Sequence, residues 1–205
     1  MPIEFVHKFE KGTLPLTVLA LHGTGGDEND LLPIARAVAP GASILSPRGK
    51  ARENGAYRFF ARKAPGVFDE NEVLTRAEEL AEWVAWAVGQ YGLDATKVFV
   101  LGYSNGANIA NAMMLLHPGS VAGGVLLRPM RVLRPDPMPD LAGTAVLIAA
   151  GREDGMMPAG EAEALGRLLA EAGASVDFAM QDGIGHELTP QDFSLAKRWL
   201  GERLT

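Results

Sequence analysis

The sequence predicts a single α/β domain over residues 1–205, with a mostly parallel central sheet and helices on both faces. Two observations carry this reading. Short, nearly continuous aliphatic runs recur along the chain, as suits strands covered on both sides. Between them lie longer stretches whose apolar residues repeat every three or four positions, the spacing of an amphipathic helix. Strands alternating with helices make a parallel sheet, and ligands of such sheets sit beyond the carboxyl ends of the strands.

Leu16 to Leu21 (LTVLAL) reads as the first buried strand and Ala42 to Leu45 as a weaker one. Glu72 to Tyr91 places Val73, Ala77, Leu80, Val84, Ala87 and Tyr91 on one helical stripe. Acids at its start suit the helix dipole, and Gly92 supplies a stop. Val98 to Leu101 (VFVL), Val121 to Leu127 and Ala145 to Ala150 (AVLIAA) are strands, with Val176 to Met180 weaker. Asn105 to Leu116 and Glu161 to Ala172 are helices, the second closed by Gly173. Pro190 to Leu200 is the last helix, with Thr189 as its N-cap.

Composition narrows the function classes. The chain is 47% hydrophobic and 21% charged, an ordinary globular balance that weighs against disorder. A net charge of −6 argues against nucleic-acid and anionic-membrane binding. There is no cysteine, so no disulfide or thiolate metal site is expected. Met1 to Lys11 has no apolar core of signal-peptide length, and no run approaches the ~18 apolar residues of a membrane span. The expected compartment is the cytoplasm, without membrane insertion.

The chemistry gathers at strand ends. Gly102-Tyr-Ser104-Asn-Gly106 follows the strand at Val98 and opens the helix at Asn105, the G-x-S-x-G pattern of a nucleophile elbow. The turn is tight enough that side chains two residues either side of Ser104 would collide with neighbouring backbone. A serine hydroxyl needs a base, and the base needs a third group to fix its tautomer. In this arrangement the chain order is serine, acid, histidine. Of His7, His22, His117 and His186, only His186 lies well beyond the nucleophile and past the last strand, in the loop Asp182-Gly-Ile-Gly-His-Glu187. His117, just before Pro118-Gly119, reads as a helix-terminal residue. The acid is Asp154, in Gly151-Arg-Glu-Asp-Gly-Met-Met-Pro158 after the strand at Ala145; Glu153 and Asp182 rank behind it.

Attack on an ester places charge on the carbonyl oxygen, which backbone N–H groups must receive. Asn105, the residue after the nucleophile, supplies one, and Thr24 in His22-Gly-Thr-Gly-Gly26 the other. That loop is neither G-x-G-x-x-G nor a Walker sequence, so phosphate binding is disfavoured. His22 is read as holding the loop's shape.

These four motifs together resemble the phospholipase/carboxylesterase family of α/β-hydrolases, which includes acyl-protein thioesterases. The likeness spans nearly the whole chain and is greatest to short bacterial carboxylesterases, through Ser46-Pro-Arg-Gly49, Glu53-Asn-Gly55 and Arg58-Phe-Phe60. It implies the α/β-hydrolase fold without a lid domain, and a hydrolase of small ester substrates with no cofactor and no metal. Thioesterase or lysophospholipase activity is the alternative within the class, and a non-catalytic binding protein on the same scaffold is the alternative outside it.

Residues 48–71 are long for a connection and follow the strand ending near Ser46. Arg48 and Arg58 are expected to face the pocket from it, with Phe59 and Phe60 as an apolar wall and Arg128 as a third arginine on the same edge. These are the expected substrate-binding residues, since guanidinium pairs with carboxylate bidentately. An edge strand or the face bearing Trp83 and Trp86 is the candidate surface for a homodimer.

Overall fold

The aliphatic runs do pair into one sheet. In the computed structural model, which describes residues 4–64, 67–158 and 160–203, the chain opens with β1 (His7–Glu10), β2 (Thr17–Leu21), α1 (Leu32–Val38) and β3 (Ser43–Pro47). Four short strands follow: β4 (Ala51–Glu53), β5 (Ala56–Arg58), β6 (Arg62–Ala64) and β7 (Val67–Phe68). Then come α2 (Glu70–Tyr91), β8 (Val98–Tyr103), α3 (Asn105–Leu116) and β9 (Gly123–Leu127). The chain closes with β10 (Ala145–Gly151), α4 (Glu161–Glu171), β11 (Ser175–Gln181) and α5 (Pro190–Gly201). Residues 1–3, 65, 66, 159, 204 and 205 of the expected domain lie outside the described residues.

The sheet has seven strands in the order β1-β3-β2-β8-β9-β10-β11. Every pair is parallel except β1 with β3. Two apolar cores flank it. Leu19 and Leu21 of β2 join the core with α2, α3 and α4, whereas Val18 and Ala20 join the one with α1 and α5. This period-two split is why the run reads as continuously hydrophobic.

The helices end where their residues dictate. The Asp69 side chain accepts the Asn71 N–H at the start of α2, and Gly92 closes it at φ 63°, a left-handed conformation that suits glycine. Buried Leu80 lies on its inner stripe, and Leu80→Ala would cost about 2–5 kcal/mol. Trp83 on the same stripe is also buried, 5.4 Å from Phe5 between ring centroids, so it belongs to the monomer's core and not to an outer face. Trp86 is partly exposed.

Several elements escape the sequence reading. β1 is a four-residue antiparallel edge strand (HKFE), too short and too charged to show a pattern. α1 has seven residues with a proline in its first turn, which is less than two turns of periodicity. The connection at residues 48–71 contains two hairpins, β4–β5 and β6–β7.

Candidate active site

Ser104 stands at the junction of β8 and α3 with φ 50° and ψ −112°, a strained conformation for a non-glycine residue. The flanking glycines make the turn feasible. A Cβ on Gly102 would lie 2.8 Å from the Ala107 Cα, and one on Gly106 would fall inside the Leu21 carbonyl. The Ser104 N–H donates to the Leu127 carbonyl at 2.9 Å, which ties the elbow to β9. The hydroxyl therefore projects at the N-terminus of a twelve-residue helix, where the dipole favours negative charge.

His186 and Asp154 converge on it. His186 Nε2 is 2.9 Å from Ser104 Oγ, and its Nδ1 is 2.8 Å from Asp154 Oδ2. Because the carboxylate can only accept, Nδ1 carries the proton and Nε2 is left to accept from the serine hydroxyl. Asp154 is fixed in turn, since its Oδ1 accepts the N–H groups of Met156 and Met157 at 2.9 and 3.1 Å. The two loops meet because Gly151 has no side chain. A Cβ there would collide with the Ile184 and Gly185 carbonyls, and the Glu153 N–H bonds Ile184 O at 3.0 Å. The rival acids point elsewhere: Glu153 is exposed, and Asp182 pairs with Arg152 on the surface. His117 is the C-cap of α3. A serine hydroxyl bonded to a neutral imidazole, itself held by a carboxylate, can surrender its proton as it attacks an electrophilic carbon.

The loop carrying His186 is anchored from beneath by Arg128, which corrects its expected place in the pocket. Its Nε donates to Gly185 O and its Nη2 to Glu187 O, each at 2.9 Å, bracketing His186. The guanidinium forks onto Asp192 at 2.8 Å twice, and neither side chain is accessible. Burial pushes the Asp192 carboxyl up, but Arg128, the Thr189 N–H and the Gln181 amide outweigh it and hold the group below its ordinary range. Tyr103 adds an outer tie, its hydroxyl donating to His186 O at 3.0 Å.

A different segment holds the opposite rim. The Gly25 N–H goes to Tyr57 O, and the Gly26 N–H to Gly23 O. Among the described residues no such bond engages the Thr24 N–H. That of Asn105 opens α3, where no helical carbonyl precedes it. His22 is buried, with Nδ1 donating to Gly23 O at 2.7 Å and Nε2 accepting the Gly49 N–H at 3.0 Å. Both bonds require the neutral ring, and burial holds its pKa below the usual histidine value against the pull of the Gly23 carbonyl. From β5, Arg58 Nη1 donates to Thr24 Oγ1 at 2.6 Å, and the next residue's N–H donates to Asn105 Oδ1 at 2.7 Å. Consecutive residues at the end of β5 thus tie down the side chains of both candidate oxyanion residues.

The remaining residues expected in the pocket divide. Arg58 does line the cavity beside Ser104. Phe59 does not: it is buried 4.7 Å from the His22 ring, and Phe60 is buried with it, because the β5 end turns into the core. Arg48 is also drawn away, forked onto Glu28 at 2.5 and 2.6 Å and bonded to the Tyr57 hydroxyl. Phe68 takes the wall expected of Phe59, and Arg62, Asn108 and Met130 also line the cavity. Asn108 was open to inference, since it lies one helical turn beyond Ser104. Phe68 and Arg62 depend on hairpins with no clear pattern.

The cavity has a volume of about 260 Å³, with Met156 and Met157 completing its walls. Residues 45–181 match the family model described as the alpha/beta hydrolase fold. The chain belongs to the α/β-hydrolase family. Within that family it is 40% identical to the putative hydrolase MhqD of Bacillus subtilis, over 97% of this chain and 98% of the relative. The carboxylesterase of Bacillus cereus superposes with a TM-score of 0.91 at 41% identity, covering 95% of this chain and 92% of that one. A carboxylesterase from Mesorhizobium loti does so at 0.88 and 37%, with 93% and 90% covered. The likeness to these relatives covers 93–97% of this chain.

Proposed function

We propose that this chain is a serine carboxylesterase acting on small or soluble esters, with Ser104 as nucleophile, His186 as base and Asp154 as the acid that orients it. The observation that carries the reading is the continuous relay from Asp154 Oδ2 through His186 to Ser104 Oγ, with neither link longer than 2.9 Å, on the wall of a cavity. Its carboxylesterase relatives support the same reaction class.

Ser104 Oγ attacks the ester carbon while its proton passes to His186 Nε2. The carbonyl electron pair moves onto the oxygen, where the N–H groups of Thr24 and Asn105 receive it. Collapse of this intermediate breaks the ester C–O bond, and the leaving alkoxide takes the proton from His186. Water then attacks the acyl-serine, giving its proton to His186. Release of the carboxylic acid returns the proton to Ser104.

Hydrolysis of p-nitrophenyl esters from acetate to octanoate tests the reading. We expect activity on the short esters, a decline toward octanoate in a cavity of about 260 Å³, and a loss of at least ~1,000-fold in kcat for Ser104→Ala. Activity that survives the substitution contradicts it. A profile that instead peaks at octanoate favours the lysophospholipase or long-acyl thioesterase alternative.

A further inference from the structure

The walls of the cavity carry an unbalanced charge. Arg58 and Arg62 both line it, and no carboxylate does among the described residues. One acid, Glu53, serves the two guanidiniums. Arg62 forks onto it at 2.8 and 3.0 Å, leaving Arg58 a longer 3.3 Å contact. Arg58 is only 3% exposed, and its other partners are the neutral Phe60 carbonyl and Thr24 hydroxyl. Burial and the neighbouring Arg62 both disfavour its charge, which Glu53 only partly offsets. A buried cation so partnered is a costly arrangement unless an anion completes it. Nearby, the buried Asn105 has its Oδ1 taken by the Phe59 N–H, while its Nδ2 has no acceptor among the described residues.

From this we propose that the preferred substrate carries a carboxylate on its acyl half, bound by Arg58 and Arg62. The inference rests on the esterase reading and adds the substrate class to it. The leaving alcohol takes its proton from His186, so it departs beside that residue and the methionines that follow Asp154. Arg58 belongs to the other side, bonded to Thr24. With Nη1 only 2.6 Å from Thr24 Oγ1, the guanidinium reaches a carboxylate a few bonds from the scissile carbonyl. Half-esters of short dicarboxylic acids have this form, and the planar fork of arginine suits a carboxylate.

Ethanol release from ethyl hydrogen succinate and from ethyl 4-methylpentanoate tests this, because an isopropyl group replaces the carboxylate at nearly the same size. The expected ratio of kcat/KM, acidic over neutral, is at least ~10 for the unaltered protein. Arg62→Gln should lower that ratio about tenfold, and Glu53→Gln should raise it by freeing both guanidiniums. A ratio of one or below in the unaltered protein overturns the proposal, as does a ratio that neither substitution moves. Absent or Ser104-independent hydrolysis of both esters, and of the p-nitrophenyl series, overturns the esterase reading along with it.

Discussion

Two arginines on either side of the elbow have opposite fates. Arg128 lies beneath the His186 loop, inaccessible and matched one to one with an inaccessible Asp192. Arg58 lies beside the Thr24 loop, nearly as buried, yet shares Glu53 with Arg62. Both donate to the loops they support, so both position machinery. The difference is the partner: a complete ion pair is finished structure, whereas an incompletely matched cation on a cavity wall has capacity left for a ligand.

The comparison is most exposed at Arg128. Arg128→Ala leaves Asp192 buried without its cation and removes donors from the Gly185 and Glu187 carbonyls. We expect a loss of about 3–5 kcal/mol in urea unfolding, and a fall in kcat larger than in KM as His186 loses its support. A stability change below about 1 kcal/mol would mean that the pair is not what holds the loop.

An acid titration sharpens the same contrast. The folded-state pKa of Asp192 is depressed, so its contribution is full above the unfolded carboxyl pKa, about 3.9. It is lost as pH falls through the lower folded value. The urea midpoint should therefore drop in acid, and Asp192→Asn should flatten that drop. An unchanged acid slope in the variant would assign acid sensitivity to other carboxylates.

The smallest effect on stability is expected at Arg58. Arg58→Ala leaves Glu53 forked by Arg62, so the cost should be about 1–2 kcal/mol, mostly from the unpaired Phe60 carbonyl. Because Thr24 loses its tether, kcat on neutral esters should fall as well. A destabilisation equal to that of Arg128→Ala would erase the distinction between the two sites.

Much of this was legible in the sequence for physical reasons. Strands buried on both faces leave continuous aliphatic runs, and an elbow needs Gly102 and Gly106 because neighbouring backbone occupies the space of their side chains. Asp154 and His186 follow from strand ends and chain order. Arg128 was misplaced because its role depends on Asp192, 64 residues away and visible in the sequence only as a capping acid of α5. Phe59 was misplaced because it lies just past the end of β5, where the chain carries it into the core beside His22, a turn that no periodicity announces. The role of His22 as a loop holder was readable, since a histidine opening a glycine-rich turn has free backbone groups beside it.

The central claim is that Ser104 is an activated nucleophile, and covalent labelling by a fluorophosphonate tests it most directly. Treating the folded protein, digesting it and locating the adduct by mass spectrometry should give one phosphonylated residue, Ser104, with labelling slowed at least ~100-fold in His186→Ala. A folded protein that takes no label, or takes it elsewhere at the same rate in both forms, would contradict the account and leave the relay from Asp154 to Ser104 as structure without chemistry.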